Sequence, residues 1–295
     1  MQKIVLMLTC FLICGGIKVN GQESAGMVRD KEIVADFFKQ IQIIEDESFG
    51  AIMVRAALYF LGTPYVGATL EVGDEERLII NLRELDCTTF MESCVALSRV
   101  VQKNSLTFEA YCKELQRIRY RNGMVNGYVS RLHYTSDWIF DNGAKGVVED
   151  VTGKIGGKPY KVQLSYMSSR SEAYKHLKGK PERTARIRQI EDVINKRGVY
   201  HCIPKEEIPT LQEQIHDGDI ICFVTSTAGL DISHVGIASW QGETLSFIHA
   251  SSTAKKVIVN PESLFEYCKS ISTNIGIMVL RGIPVKDIPV VPAEQ

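Results

Sequence analysis

Three residues in this chain could together make a nucleophile and its base: Cys87, His234 and His249. Cys87 opens the stretch Asp86-Cys87-Thr88-Thr89-Phe90-Met91-Glu92-Ser93-Cys94. Apolar residues recur at Cys87, Phe90, Met91, Cys94, Leu97 and Val101, the spacing of a helix with one buried face. Asp86 is a good N-cap for that helix, which places Cys87 in the first turn. A thiol there faces unpaired backbone N–H groups and the positive end of the helix dipole. Both favour thiolate and predict a lowered pKa. The Asp86 carboxylate opposes them unless it turns toward the N–H groups it caps. From this stretch alone a nucleophile and a small core residue both stay open, because free cysteines are commonly buried.

The histidines fall in a region of period-two alternation. His234 opens Ser233-His234-Val235-Gly236-Ile237-Ala238, and His249 ends Leu245-Ser246-Phe247-Ile248-His249-Ala250. If the two strands pair through a tight turn at Gly242-Glu243, the start of one lies beside the end of the other. The histidines would then be cross-strand neighbours on one face, within about 5 Å at Cβ. A catalytic base held by an orienting partner requires that arrangement. Taken singly, each histidine reads equally well as an ordinary strand residue. His176, His201 and His216 lie in polar stretches and receive no role.

The elements that must position these residues follow from the same patterns. Lys31 to Gln42 and Phe49 to Leu61 have helical spacing, and Gly62-Thr63-Pro64-Tyr65-Val66-Gly67-Ala68 breaks the second helix. Thr69 to Val72 and Leu78 to Leu82 read as short strands, and Phe108 to Tyr120 as a further helix. From about 122 to 216 glycines punctuate a polar region with little periodicity, closed by a basic-rich helix over Lys180 to Arg197. Within it, Ser130 to Ile139 packs Arg131, His133, Tyr134, Asp137 and Trp138 together. One reading is an edge strand or helix start with a half-buried Trp. The other is a recognition wall, with Arg131 for a carboxylate and Trp138 or Tyr134 for stacking. Five strands follow, at Asp219 to Val224, Ser233 to Trp240, Leu245 to Ala250, Val257 to Val259 and Ile275 to Arg281. Their short connections predict an antiparallel meander curled into a partial barrel, and the whole an α+β fold.

Composition bounds the setting. Met1-Gln2-Lys3, the apolar run Ile4 to Ile17 and a small residue at Gly21 make a secretory signal over residues 1–21. The run is shorter than the roughly 20 residues a spanning helix needs. An exported, periplasmic protein is expected, with lipid attachment at Cys14 the less favoured alternative. Residues 22–295 are long enough for one large domain with a real core. A net charge of -1 gives no reason to expect nucleic-acid binding. Cys87, Cys94, Cys112, Cys202, Cys222 and Cys268 remain after the signal. Their spacing is not that of a disulfide scaffold, so mostly free, buried thiols are expected.

Five motifs in order carry a resemblance: Gly62-Thr63-Pro64-Tyr65, Asp86-Cys87 opening a helix, Gly218-Asp219 starting a strand, Ser233-His234-Val235-Gly236-Ile237, and Ile248-His249-Ala250-Ser251-Ser252. They resemble the NlpC-type papain-like cell-wall cysteine hydrolases over residues 49–101 and 217–282. The block from Arg131-Leu132-His133-Tyr134 to Asp137-Trp138 is similar to the N-acetylmuramoyl-L-alanine amidase-like branch. The resemblance implies a single catalytic domain over 22–295, in which the 122–216 insertion forms part of the substrate site. It implies Cys87 as nucleophile, His234 as general base, His249 as the polar residue orienting His234, and a Tyr65 hydroxyl near the thiolate and oxyanion. It further implies cleavage of the amide between N-acetylmuramic acid and L-Ala in peptidoglycan or muropeptides, without metal or cofactor. Arg131, His133, Tyr134, Asp137, Trp138, Ser251 and Ser252 would bind the sugar or stem peptide. The usual Asp-Cys-Ser-Gly-Phe is here Asp86-Cys87-Thr88-Thr89-Phe90, and the usual Trp-Gly-Gly is Gly67-Ala68, which bears on specificity rather than on the triad. A γ-D-glutamyl-diaminopimelate endopeptidase would use the same triad. A non-catalytic peptidoglycan-binding protein would have no need of all three residues. A zinc site built from Cys87, His234 and His249 is a further alternative, although the chain has no CxxC, HxxxH or HExxH pair.

Overall fold

The computed structural model describes residues 24–285. The expected signal segment, with Cys14 and Gly21, lies outside the described residues. Helix α1, Ala25–Gln40, starts before the expected Lys31, where the Ser24 hydroxyl accepts the Met27 N–H. Helix α2, Phe49–Tyr59, is capped in the same way by Ser48. The segments at 69–72 and 78–82, expected as strands, are irregular. Side chains take the backbone bonds that a ladder would have used: Leu82 N–H donates to Asp30 Oδ1 (2.9 Å), and Ile79 O accepts from Arg119 Nη1 (2.6 Å).

Helix α3, Cys87–Gln102, and helix α4, Phe108–Arg119, follow. Contrary to the one-faced reading, α3 is buried continuously from Thr89 to Val101. It is enclosed by α2, by α4 and by the sheet. Its charged residues are paired inside the protein: Glu92 Oε2 with Arg119 Nε at 2.7 Å, and Arg99 Nε with Glu114 Oε2 at 2.8 Å. Buried charges are tolerated only when partnered in this way.

The 122–216 region is more ordered than its composition suggests. It holds α5 (Thr135–Ala144), β1 (Val148–Asp150), β2 (Lys158–Tyr160), α6 (Tyr166–Ser169), α7 (Pro181–Lys196), β3 (Tyr200–Pro204) and α8 (Ile208–Leu211). Then come β4 (Ile220–Thr225), β5 (Ile232–Gln241), β6 (Thr244–Ser251), β7 (Lys256–Val259), α9 (Leu264–Ser270) and β8 (Asn274–Gly282). One eight-stranded sheet runs β2-β3-β8-β4-β5-β6-β7, with β1 also on β8 and every pairing antiparallel. The expected meander therefore holds for β4 to β7. β8 turns back to lie beside β4, and the supposed insertion supplies β1, β2 and β3.

Both faces of the sheet are covered, and β4 shows how the sequence does it. Ile220, Cys222 and Val224 join the core under α2 and α3, while Ile221 and Phe223 join a second core under α9. Alternate side chains of a strand point to opposite faces, so one strand serves both cores. Each such residue, fully buried, stabilises the fold by about 1.5–3 kcal/mol. At the open end of the first core, the backbones of Gly50 in α2 and Gly218 before β4 come very close. A Cβ on Gly218 would lie 2.2 Å from Gly50 O.

Candidate active site

The thiol is aimed by its helix. Thr89 N–H donates to Asp86 Oδ1 (2.8 Å) and Asp86 N–H donates to Thr89 Oγ1 (2.9 Å), a reciprocal capping box that fixes the first turn. Phe90, Met91 and Cys94 are buried below it. Half-buried Cys87 lies against β5, where the backbone N–H groups of Val235 and Thr88 face its sulfur. The Thr88 hydroxyl is 4.0 Å away. Those donors favour thiolate, but they are outweighed. Burial, and then the Asp86 carboxylate, push the thiol up to about 11. The helix-terminus argument predicted the opposite direction. It fails because the thiol is packed against protein at β5 and because the cap itself carries a charge.

The histidines meet on the diagonal rather than directly opposed. The β5–β6 register pairs Ile237 with Ile248, so its continuation sets Gly236 across from His249 and puts His234 one pleat further along the same face. His234 Nε2 and His249 Nδ1 are 2.7 Å apart, with the rings edge to face at 85°. Gly236 permits this: a Cβ there would meet Phe247 Cδ2 at 2.6 Å and His249 Cβ at 3.3 Å, in the space between the two rings. Phe223, Phe247 and Tyr267 surround the pair, with centroids 4.5 to 6.1 Å from one or both rings. This apolar casing holds the imidazoles neutral. Burial, and then His249, push His234 down to about 3, and burial pushes His249 down to about 4 against the opposing effect of Asn260.

His234 and Val235 are adjacent on β5, so the imidazole and the N–H that faces the thiol belong to neighbouring residues at the start of that strand. Tyr267 is their shared neighbour: its centroid is 6.1 Å from His234, and its phenol is raised by burial and then by the Cys87 sulfur. Tyr65 stands on the same sulfur, its phenol raised by burial, then by Cys87 and Asp86. Its loop is pinned at two places. Leu85 N–H donates to Pro64 O (3.0 Å), and Tyr65 N–H donates to Lys255 O (2.9 Å) at the start of β7. Ser251 ends β6 and accepts the Ala254 N–H (3.1 Å) to form a turn, while Ser252 is exposed beside it.

The recognition block is put to other uses. Trp138, 2 % exposed, is buried at the start of α5, so it has no face to offer a sugar. Tyr134 donates to Glu191 Oε1 (2.6 Å) and accepts the Met167 N–H (2.8 Å). Asp137 pairs with Arg121 and Arg197, each at 2.5 Å. Arg131, 5 % exposed, is bound to Glu71 (2.5 Å) and lies 3.5 Å from Glu76, with Tyr128 stacked against it. Its charge is met from within by these carboxylates, where the sequence reading expected a ligand carboxylate. His133 is half-buried against Tyr128 O (2.8 Å) and is pushed down to about 3, by burial and then by Arg131. The density of polar and aromatic groups was real, but it marks an internal network. The sequence reading missed Tyr267, Val235 and Gly236. Only Gly236 left a signal, as a glycine inside a strand pattern.

The six cysteines among the described residues are free thiols, four of them buried. A family model described as N-acetylmuramoyl-L-alanine amidase-like matches residues 55–277. A solved N-acetylmuramoyl-L-alanine amidase from Bacteroides uniformis ATCC 8492 is similar at 39% identity and a TM-score of 0.77, covering 80% of this chain and 99% of that one. A Bacteroides fragilis structure provisionally described as a xylanase is similar at 43% identity and a TM-score of 0.73, covering 77% and 98%. A Legionella pneumophila protein at 21% identity shares the fold, with a TM-score of 0.68 over 88% and 96% of the two chains. No curated protein matches.

Proposed function

The chain belongs to the N-acetylmuramoyl-L-alanine amidase-like family, and from that premise we propose that it is a papain-like cysteine amidase. Its substrate is the amide joining N-acetylmuramic acid to L-Ala in peptidoglycan or released muropeptides. The observation that carries the reading is the Cys87 thiol at a helix start, beside the strand whose His234 is hydrogen-bonded to His249. Cys87 Sγ attacks the lactyl carbonyl carbon while His234 takes the thiol proton and passes it to the departing L-Ala nitrogen. Water, deprotonated by His234, then attacks the thioester, releasing the muramic carboxylate and restoring the thiol. Because thiol and imidazole are both neutral at rest, proton transfer accompanies attack instead of preceding it. The N–H groups at the start of α3, with Tyr65, are the donors for the oxyanion.

In this reading the stem peptide is met by cations of the 122–216 segment other than Arg131. Adjoining cavities of about 510 and 430 Å³ run along α7 and share Asn126, Val129 and Arg186. Lys180 and Arg183 also line them, as do Arg121 and Arg197, whose charges are already paired with Asp137, so Lys180, Arg183 and Arg186 are the cations the groove offers. Such a groove suits a peptide bearing several carboxylates. A glycosidase would need two carboxyl groups flanking the scissile bond. The carboxylate that acts on the thiol, Asp86, is engaged in the helix cap.

Mass spectrometry of digested muropeptides tests the proposal. Free peptides beginning at L-Ala are expected. Fragments beginning at diaminopimelate would replace the reading with a γ-D-glutamyl endopeptidase. Full activity in Cys87→Ser would remove the cysteine mechanism, and chelator-sensitive activity with stoichiometric zinc would favour the metal alternative. The signal at residues 1–21 and export to the periplasm belong to the same proposal.

A further inference from the structure

Extending the diagonal that joins His234 to His249 brings in a third polar residue. The β6–β7 register pairs His249 with Ile258, and Asn260 N–H donates to Phe247 O (2.8 Å), so Asn260 is one pleat along on the His249 face. His234, His249 and Asn260 thus form an oblique line from β5 through β6 to the end of β7. Asn260 is 7 % exposed and immobilised: its carbonyl accepts from Ser246 Oγ (2.7 Å), and its Nδ2 donates to Glu262 O (2.9 Å). A peptide carbonyl only accepts, so the Nδ2 assignment follows from chemistry and leaves Oδ1 as the free end. His249, 2 % exposed, has an Nε2 with no hydrogen-bond partner among the described residues. Asn260 is the side chain that favours its proton.

We infer that Asn260 is a positioning residue: one pleat from the unpartnered His249 Nε2, its free Oδ1 is the acceptor toward which the Nε2–H turns, and it so fixes the direction of the proton relay. The inference rests on the cysteine-amidase reading for its kinetic consequence but not for its structural one. A neutral imidazole carries one N–H. If His249 holds that proton on Nε2, facing an acceptor, its Nδ1 is a bare lone pair. At 2.7 Å, His234 Nε2 must then be the donor. That leaves His234 Nδ1, which has no hydrogen-bond partner among the described residues, as the bare nitrogen able to take the thiol proton. The opposite tautomer of His249 would reverse each step and leave His234 Nδ1 protonated, a donor where a base is needed. Asn260 therefore acts on His234 through His249.

The test uses the full folded chain labelled with 15N in histidine. Correlation spectra at pH 7 are expected to give protonated Nε2 and bare Nδ1 for both His234 and His249. Asn260→Ala should give mixed tautomers at His249 and lower kcat on muropeptides about 10- to 100-fold, with KM within about twofold. Asn260→Asp restores an acceptor and adds a charge. It should keep the tautomers while moving the His249 titration to higher pH. Unchanged tautomers in Asn260→Ala, or kcat within about twofold, would overturn the inference. If the Ala variant does not fold, Asn260→Asp decides alone: mixed tautomers or an unmoved titration would overturn it. A wild-type chain that cleaves no muropeptide, yet has the expected tautomers and loses them in Asn260→Ala, would refute the amidase reading and support the role of Asn260.

Discussion

Asp86 has two effects with opposite signs, and they can be separated. Its oxygen accepts the Thr89 N–H at 2.8 Å and so starts α3. Its charge is the second cause, after burial, of the raised Cys87 thiol. Asp86→Asn keeps an oxygen of the same shape, and Asn caps helices about as well as Asp. Stability should therefore change by less than about 0.5 kcal/mol, whereas Asp86→Ala, which removes the cap, should cost about 1–2 kcal/mol. A unit charge roughly 6 Å away across an effective dielectric of ~20 is worth about 3 kcal/mol. Solvent at the half-exposed thiol screens this to about 1–1.5 kcal/mol, or about one pKa unit. In Asp86→Asn the thiol should therefore titrate near 10 rather than about 11. The assay is the rate of iodoacetamide alkylation against pH, read by intact mass. It is run in a Cys112→Ser background because Cys112 is the other half-buried thiol. At pH 8 the Asn variant should react about tenfold faster. An unmoved alkylation midpoint would refute the assignment of the shift to Asp86. An Asp86→Ala chain as stable as wild type in urea would refute the cap.

Three further outcomes concern charged groups. His249 binds its proton near pH 4 when folded and near 6.5 when unfolded, so the unfolded state holds more protons between those values. Its contribution is complete above pH 6.5 and falls by about 3 kcal/mol by pH 4; urea midpoints should drop less steeply with acid in His249→Gln, and parallel curves would refute this. Arg131→Ala leaves Glu71 and Glu76 without their guanidinium and should cost about 3–5 kcal/mol; a stable variant with only a raised KM would restore Arg131 to the substrate. Arg186→Glu in the α7 groove should raise KM for muropeptides about tenfold at low salt while leaving the urea midpoint in place, and an unchanged KM would remove that groove from the substrate path.

Legibility in the sequence followed the length over which a pattern repeats. The strands from β4 to β8 and helices α2, α3, α4 and α7 each run long enough for period or caps to register, and Asp86, Thr107 and Ser48 cap as their types suggest. β1 and β2 have three residues each, fewer than an alternation needs to become visible. Val72 and Ile79 sit in apolar runs that resemble strands, but no partner strand reaches them, and side chains from α1 and α4 take the backbone bonds instead. The burial of Trp138 and the pairing of Arg131 were not legible because sequence gives the types of a polar cluster without saying whether it faces water or its own counter-charges. The thiol shift was misjudged for a related reason. A helix dipole can be read from a cap residue, whereas the packing of the thiol depends on β5, some 150 residues away in the chain.

Two frameworks built on different principles meet at the start of β5. The thiol is aimed by a helix whose middle is enclosed on all sides and whose ion pairs, Glu92–Arg119 and Arg99–Glu114, tie it to α4. A helix held in this way has little freedom to rotate, so the capping box at its end can fix a sulfur position. The imidazoles are aimed by strand register instead. A one-residue slip of β6 would turn His249 to the α3 face and end its bond to His234. Tyr65 joins the two frameworks. Its loop is bonded to Leu85 just before the helix and to Lys255 beside β7, and the next part of that loop carries Glu71, the partner of Arg131. The buried Arg131 thus holds, through Glu71, the same loop that carries Tyr65. In an Arg131→Ala chain kept folded by osmolyte, kcat should fall along with stability if Tyr65 is the oxyanion donor of the proposed mechanism, because the loop that carries it has lost one of its anchors, and an unchanged kcat would refute that coupling.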